Sequence, residues 1–205
     1  MAEQFSRTTP LSHVEQRGIN VDDATVRLSI IESRAIAQVM CSPGNAAAVA
    51  NALAIGVTPG QATTTDDYNA LPLSPGQWML YTPSQQQGSD AAAAMNGGFA
   101  QFLNERLNGQ GYVSEQSHGR VIFRVAGEGA RAVIEKGCRL DLHPSVTQAG
   151  YCAQTPMAQV GVILHQVSED PVYDLLVYSG FARSFWHWLT ESAAEFGFRV
   201  TNNQD

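Results

Sequence analysis

Short runs of apolar residues, some strictly alternating with polar ones, predict seven β-strands. Apolar positions alternate along residues 25–31 and 35–41, and both runs are short enough for half-buried strands. Proline or glycine follows several of the other runs, as is typical where a strand enters a turn. The remaining predicted strands cover residues 77–82, 112–115, 120–125, 157–165 and 173–178.

Apolar-rich segments of about ten residues or more predict four helices, at residues 45–55, 90–107, 127–136 and 181–196. The second would begin near Asp90 and place Met95, Phe99, Phe102 and Leu103 on one face. Gly97 and Gly98 interrupt it, at a cost of roughly 1 kcal/mol per glycine. Either this helix begins later or another backbone approaches closely there, and both alternatives remain open.

The last predicted helix carries an apolar stripe typical of a helix that packs on a core. The stripe consists of Phe181, Phe185, Trp188, Leu189 and Phe196. Trp186 lies roughly 100° from Phe185 around the helix, beside His187 on the outer side. Because an exposed tryptophan is costly to leave in water, we expect Trp186 to pack against a partner or a loop.

The predicted elements occur twice in the same order: a strand, a helix opened by glycine, a long excursion, a strand and a helix. This order predicts an α+β domain at residues 25–200, made of two similar halves of the split β-α-β type at about 25–108 and 109–200. Residues 56–76, rich in Gly, Pro, Thr and Asp, predict a long irregular loop. Residues 1–24 are expected to form an extended arm and residues 201–205 a flexible tail.

Charge and composition exclude several classes of partner. The net charge is −7, and the 12 Lys and Arg residues are scattered singly, so neither nucleic acid nor an anionic membrane surface is an expected partner. Charged residues make up only 15% of the chain, against roughly 25% in an ordinary domain. This fits burial against partner subunits, and a neutral but exposed surface fits equally well. The sequence lacks a long apolar run and an apolar segment near Met1, so a cytoplasmic location is expected.

Residue types that usually carry chemistry are present but dispersed. The three cysteines and five histidines have none of the spacings of a disulfide framework or a zinc site, and no G-x-S-x-G nucleophile elbow occurs. His143 follows Asp141 in L-D-L-H-P, where either an oriented catalytic histidine or a capped turn before Pro144 is possible. We therefore predict no catalytic, cofactor-binding or metal-binding residue in this chain. The residues concerned are Cys41, Cys138, Cys152, His13, His118, His143, His165 and His187.

The segment Gly127-Glu128-Gly129 opens a predicted helix but is too short for a dinucleotide-binding loop, because Arg131 and Ala132 stand where a third glycine belongs. A tight turn between a strand and a helix explains it. Gly56-x-x-x-Gly60 likewise lacks the Lys and Ser/Thr of a phosphate-binding loop.

Three longer stretches resemble the gamma subunit of heterotetrameric sarcosine oxidase. They are E-K-G-C-R-L-D-L-H-P-S-V at 135–146, G-Y-C-A-Q-T-P-M-A-Q-V at 150–160 and Y-D-L-L-V-Y-S-G-F-A-R-S-F-W-H-W-L at 173–189. Pro10, Leu11 and His13 sit where that family has a P-L-x-H stretch. More distantly, E-Q-S-H-G at 115–119 is similar to a motif of the glycine-cleavage T-protein, with Glu115 in place of its Asp. The resemblance implies a T-protein-like fold with mixed or antiparallel sheets whose folate site has been lost.

The same resemblance implies a non-catalytic structural subunit of a complex that oxidatively demethylates sarcosine to glycine, forming 5,10-methylenetetrahydrofolate and hydrogen peroxide. Alpha, beta and delta subunits would be the partners, and FAD, FMN, NAD, tetrahydrofolate and zinc would be held by those partners. Subunit contacts are expected at Trp186, His187, Pro10, Leu11 and His13. Two alternatives are a gamma-type subunit of a related N-methyl amino-acid dehydrogenase and a stand-alone folate-binding one-carbon transferase.

Overall fold

The computed structural model describes residues 24–31, 35–83 and 98–201. Residues 1–23 of the predicted arm, residues 90–97 of the helix predicted at 90–107 and residues 202–205 of the predicted tail lie outside these ranges. The described strands are β1 Val26–Ile31, β2 Ile36–Met40, β3 Thr63–Thr64, β4 Asn69–Ser74, β5 Gln77–Tyr81, β6 Tyr112–Glu115, β7 Arg120–Ala126, β8 Cys152–Met157, β9 Val160–Ser168, β10 Val172–Tyr178 and β11 Phe198–Val200. The described helices are α1 Ala46–Leu53, α2 Gly98–Leu107, α3 Ala130–Glu135 and α4 Ala182–Ala193.

These strands form two sheets. Sheet 1 has six strands in the order β11-β1-β7-β10-β9-β8, and sheet 2 has five in the order β3-β4-β5-β2-β6. The β1–β11 pair is parallel, while β7 pairs antiparallel with both β1 and β10. The prediction of an α+β fold with mixed and antiparallel sheets is therefore confirmed.

The two halves of the chain have the same strand topology, but the first strand of each half pairs with a strand of the other half. In sheet 2 the order β3-β4-β5-β2-β6 matches β8-β9-β10-β7-β1 in sheet 1. Helices α1 and α2 follow β2 and β5, just as α3 and α4 follow β7 and β10. One repeat thus runs from β1 to α2 and the other from β6 to α4. However, β1 pairs with β7 of the second repeat, and β6 pairs with β2 of the first. This exchange holds the two halves together as one folded unit.

The sheets lie face to face, with helices on their outer faces. Three apolar clusters define these layers: one joins α1 and α2 to sheet 2, one joins α3 and α4 to sheet 1, and one fills the space between the sheets. Along β10, Leu175 and Val177 belong to the helix-side cluster, whereas Leu176 belongs to the cluster between the sheets. Because both faces are covered, the central strands are apolar almost throughout rather than alternating.

The prediction of an irregular loop at residues 56–76 is wrong in its second part, where β3 and β4 form. Pro72 lies within β4. Strand β3 pairs with β4 only at Asn69 and Ala70, so β4 has no neighbour on that side at Pro72 among the described residues. Proline is tolerated where a strand has a free edge, because no ladder hydrogen bond is lost there.

A tight turn connects β7 to α3, as the glycines at 127 and 129 indicate. Gly127 has a φ of +103°, and a side chain there would meet the carbonyl oxygen of Thr25. The amide of Gly127 donates to the carbonyl of Pro171 at 3.0 Å, and the amide of Gly129 donates to Thr25 at 3.2 Å. Glycine is required because the backbone conformation is left-handed and the neighbouring chain is close.

Candidate functional site

A buried polar network joins the two sheets at the centre of the molecule. Tyr81 comes from β5 in sheet 2, whereas Arg124, His165 and Asp174 come from β7, β9 and β10 in sheet 1. Asp174 is the cross-strand partner of both Arg124 and His165. The pairing register therefore sets the three sheet 1 side chains side by side, and the packing of the sheets brings Tyr81 to them.

Asp174 is the centre of this network. Arg124 donates from Nε to Oδ1 at 2.7 Å and from Nη2 to Oδ2 at 2.9 Å, which is the two-pronged pairing that favours arginine over lysine. The Tyr81 hydroxyl donates to Oδ2 of Asp174 at 2.9 Å and lies 2.6 Å from Nδ1 of His165. A phenol has a single proton. Since that proton goes to the carboxylate, Nδ1 of His165 carries a proton and donates it to the Tyr81 oxygen.

Charge and burial indicate that this network holds the fold together. Burial lowers the pKa of Arg124, but its hydrogen bonds and charge attraction to Asp174 outweigh that effect and raise the pKa overall. Tyr81 and Asp174 are 0% exposed and His165 is 1% exposed, so a substrate cannot touch them without opening the core. Histidine, aspartate and tyrosine could in principle transfer protons. Here they instead fix the register and packing of the two sheets.

Trp186 was expected on the outer side of the last helix, and that expectation is wrong. Trp186 is 3% exposed and belongs to the core cluster of its own chain. Its ring stacks on Phe123 of β7, with centroids 5.7 Å apart and planes at 22°. The buried face of α4 passes through Ala182, Trp186 and Leu189, which share one side at helical spacing.

Of two other predicted positions at this helix, one differs from expectation and one agrees with it. Phe181 was assigned to the apolar stripe but lies in the short 3-10 turn before α4 and is exposed. His187 is exposed, as expected for a residue on the outer side of the helix. The predicted contacts at Pro10, Leu11 and His13 lie outside the described residues.

The L-D-L-H-P segment forms a capped turn. The Asp141 carboxylate accepts a hydrogen bond from the backbone amide of His143 at 2.9 Å, and the His143 ring nitrogen Nδ1 lies 2.8 Å from the Ser145 hydroxyl. Asp141 therefore binds the backbone of His143 and does not orient its ring. Of the two alternatives that the sequence left open, the structure supports the turn.

The E-Q-S-H-G segment also has a structural role in the described chain. The Glu115 carboxylate accepts from the amide of Ser117 at 2.9 Å and also contacts the Ser117 hydroxyl. The Ser117 hydroxyl oxygen in turn accepts from the amide of Ile36 at 2.8 Å. These bonds attach the β6–β7 connection to the start of β2.

The polar network was missed by sequence reasoning, although a signal for it existed. His165 and Asp174 each interrupt an otherwise apolar strand, in V-I-L-H-Q-V and V-Y-D-L-L-V. A charged or polar side chain inside a strand that is buried on both faces needs a partner. That argument identifies Asp174 as paired, but it does not identify Arg124 or Tyr81 as the partners.

Metal-ligating side chains do not converge in the part of the chain that the structure describes, where no group of three or more His, Cys, Asp or Glu residues could hold an ion. Along the same ranges, no helix combines the length and apolar content that crossing a membrane requires.

Comparison with known sequences identifies the family that this chain matches. Residues 38–195 match the model of the sarcosine oxidase, gamma subunit family. The sarcosine oxidase gamma subunit of Corynebacterium sp. (strain P-1) is 27% identical over 196 residues, covering 93% of this chain and 91% of the relative. That of an Arthrobacter species is 29% identical over 160 residues, covering 75% of this chain and 73% of the relative.

Solved structures share the fold. A chain of the heterotetrameric sarcosine oxidase from Corynebacterium sp. U-96, solved with pyrrole 2-carboxylate, superimposes with a TM-score of 0.76 at 24% identity, over 93% of this chain and 96% of that one. The glycine cleavage aminomethyltransferase T of Bartonella henselae superimposes with a TM-score of 0.62 at 15% identity, over 87% of this chain and 48% of that one. The T-protein-like fold predicted from the sequence is confirmed, and the chain belongs to the sarcosine oxidase, gamma subunit family.

Proposed function

We propose that this chain is the non-catalytic structural subunit of a heterotetrameric sarcosine oxidase. The complex would oxidise sarcosine to glycine, forming hydrogen peroxide and passing the one-carbon unit to tetrahydrofolate as 5,10-methylenetetrahydrofolate. The observation that carries this proposal is the match of residues 38–195 to the gamma subunit family. A cytoplasmic location stays a prediction.

The geometry of the polar residues supports a structural role. The acid-base group around Asp174 is enclosed between the two sheets, and its members hydrogen-bond to one another. His143, the histidine most suggestive of catalysis, lies in an exposed turn that its neighbours Asp141 and Ser145 stabilise. An active site needs an acid or base within reach of a bound substrate, and the group around Asp174 is too deeply buried to meet that requirement.

The partners would be the alpha, beta and delta subunits, and the flavins, NAD, zinc and folate would be bound by those subunits. The exposed His187 on α4 is the proposed contact that the structure describes. Pro10, Leu11 and His13 are proposed as further contacts in the N-terminal segment.

The proposal can be tested by purifying the tagged full-length chain from its native host. We expect three further subunits to co-purify in equal amounts, with flavin absorbance and sarcosine-dependent hydrogen peroxide production in the same fraction. Because the chain is proposed to be non-catalytic, His143→Ala should leave the activity per flavin unchanged. A monomeric, colourless chain that binds tetrahydrofolate tightly would contradict the proposal.

The same preparation addresses the other two functions considered. Oxidation of another N-methyl amino acid in place of sarcosine, with electrons passing to an acceptor other than oxygen, would indicate a related dehydrogenase. Tetrahydrofolate binding by the isolated chain, measured by calorimetry, would indicate a stand-alone folate-binding protein.

A further inference from the structure

Arg120 is a buried cation without a carboxylate partner in the described part of the chain. It begins β7 and is only 7% exposed. Its Nε atom is buried and has no hydrogen-bond partner. The guanidinium carbon lies 4.0 Å from the centre of the Tyr178 ring, the residue opposite it on β10. This contact with an aromatic face stabilises a cation only partly.

Strand alternation explains why Arg120 points between the sheets. Residues two apart on a strand share a face, and Ile122 on β7 belongs to the apolar cluster between the sheets. Arg124, two residues further, pairs with Asp174 in the same layer. Arg120, the first residue of β7, therefore lies in the same row at the start of the strand.

At that end lies a pocket of about 310 Å³ on the face of sheet 1. It is open to solvent, so a group from outside can enter it. Burial lowers the pKa of Arg120, and the neighbouring Tyr178 partly offsets this effect. The lining includes Arg120, Tyr178, Gln154, Thr155, Pro156 and Ile163.

The chemistry of the pocket favours an anionic planar group. A guanidinium presents parallel N–H donors that match the two oxygens of a carboxylate, and in this pocket no acid of the described chain takes that place. An unpaired buried charge is costly, and a carboxylate that entered the pocket would offset that cost. By contrast, Arg124 on the same face of the same strand is fully paired within the chain.

The surroundings of the pocket indicate that the carboxylate belongs to a protein. Tyr178 is 50% exposed at the pocket, and Phe181, three residues later, is 53% exposed. Arginine and tyrosine, together with tryptophan, are enriched among the residues that dominate protein interfaces, and these residues cluster in desolvated pockets. We propose that Arg120 binds an aspartate or glutamate side chain of a neighbouring subunit of the oxidase, with Tyr178 and Phe181 packing beside it. This inference rests on the proposed function, because it requires the complex to form.

The test compares Arg120→Met with a matched control, Arg139→Met, in the co-expressed complex. Arg139 is exposed in the segment after α3. Methionine keeps an apolar stem of similar length but removes the charge. We expect the Arg120→Met chain to dissociate from the complex about ten-fold faster or more, since loss of a buried charge partner acts mainly on dissociation. The control should dissociate at the wild-type rate.

A second measurement separates binding from folding. The urea midpoint of the isolated full-length Arg120→Met chain should stay close to that of Arg139→Met, because the substitution removes an unpaired charge. Should Arg120→Met fail to fold, Arg120→Lys in the complex replaces it. Lysine keeps the charge but loses the two-pronged bond, so an intermediate dissociation rate is expected, and a wild-type rate for either folded variant overturns the inference.

Adding sodium formate tests whether the carboxylate belongs to a subunit or to a free anion. Sodium chloride at equal ionic strength is the control. If a subunit supplies the carboxylate, formate should speed dissociation of the wild-type chain and not of Arg120→Met. If formate instead raises the melting temperature of the isolated wild-type chain and leaves dissociation unchanged, the pocket holds a free carboxylate and the inference is wrong. Failure of the wild-type complex to form would contradict the proposed function itself, a separate outcome.

Discussion

Replacing Trp186 with alanine should destabilise the fold of this chain before it affects any assembly. The indole is 3% exposed and stacks on Phe123 in the core between sheet 1 and its helices. Its removal leaves a cavity beneath α4 that the neighbouring side chains, held by close packing, can fill only in part.

The size of the effect follows from the buried surface. An aromatic side chain buries roughly 150–250 Å², which at about 25 cal/mol per Å² corresponds to about 4–6 kcal/mol. Alanine retains some of this surface, and substitutions of buried aromatic residues by alanine cost about 3–5 kcal/mol. At about 2–4 °C per kcal/mol for a chain of this size, the melting temperature should fall by on the order of 10 °C.

Urea unfolding of the full-length chain, followed by far-ultraviolet circular dichroism, measures this loss. That signal reports helices and strands and does not depend on the deleted indole. The matched control is His187→Ala, the next residue on the helix, whose side chain is exposed. The control should change the free energy of unfolding by no more than about 0.5 kcal/mol.

Either of two outcomes would refute the reasoning about Trp186. If Trp186→Ala costs less than about 1 kcal/mol but releases the chain from its complex, the indole must lie at a subunit contact. If both variants leave stability unchanged and only His187→Ala weakens assembly, the exposed side of α4 is the contact and the core tolerates the cavity.

Three further predictions concern single sites. Arg124→Met removes the two-pronged partner of Asp174, so urea titration should show a loss of roughly 3–5 kcal/mol, and a loss below about 1 kcal/mol would mean that other donors suffice. Gly127→Ala places a side chain at a φ of +103° and should lower the free energy of unfolding by about 2 kcal/mol or more. The control Gly44→Ala places its side chain in open space and should change that free energy by no more than about 1 kcal/mol. Equal melting temperatures of the two variants would argue against strain at the turn. Burial raises the pKa of Cys152 from 9.0 to about 11, so the stability present below pH 9 should fall by on the order of 2–3 kcal/mol as the pH rises to 11. The Cys152→Ala variant should lack this fall. Parallel curves of stability against pH for the variant and the wild type would disprove the assignment.

The last helix shows how far sequence periodicity reaches. The pattern correctly predicts an amphipathic helix near residues 181–196, and Phe185, Trp188, Leu189 and Phe196 of the predicted stripe lie in or against the core. The predicted stripe was anchored on Phe181, which precedes the first turn of α4 and is exposed. Anchored instead on Ala182, the spacing selects Trp186 and Leu189, as the structure shows. The buried face is thus wider than the predicted stripe, because it also includes Trp186, which lies about 100° from Phe185 around the helix.

Two strands that the sequence did not predict, β8 and β11, lie where the sequence preference for strand structure is weak. Strand β8 contains Pro156 and ends the order of sheet 1, so β9 is its single neighbour in that sheet. Strand β11 has three residues and is held by its parallel pairing with β1. Both depend on partners far away in sequence, and such tertiary support leaves little local signal.

The polar network could not be predicted for a related reason. Its hydrogen bonds join residues separated by 84, 93 and 50 positions. The alignment of Arg124 with Asp174 follows from the strand register, but the contact with Tyr81 requires the two sheets to pack face to face. A sequence predicts such a contact only after its topology is known.

Two arginines on one strand therefore have opposite relations to the fold. Arg124 and Arg120 share a face of β7, but the residues opposite them on β10 differ: Asp174 lies opposite Arg124, whereas Tyr178 lies opposite Arg120. Charge pairing within the chain makes Arg124 part of the folded core. Arg120, buried but without an acid nearby in the described chain, gains its full stabilisation only from a carboxylate supplied from outside. The methionine variants should consequently separate the two roles, since that of Arg124 lowers the free energy of unfolding while that of Arg120 weakens binding to the complex.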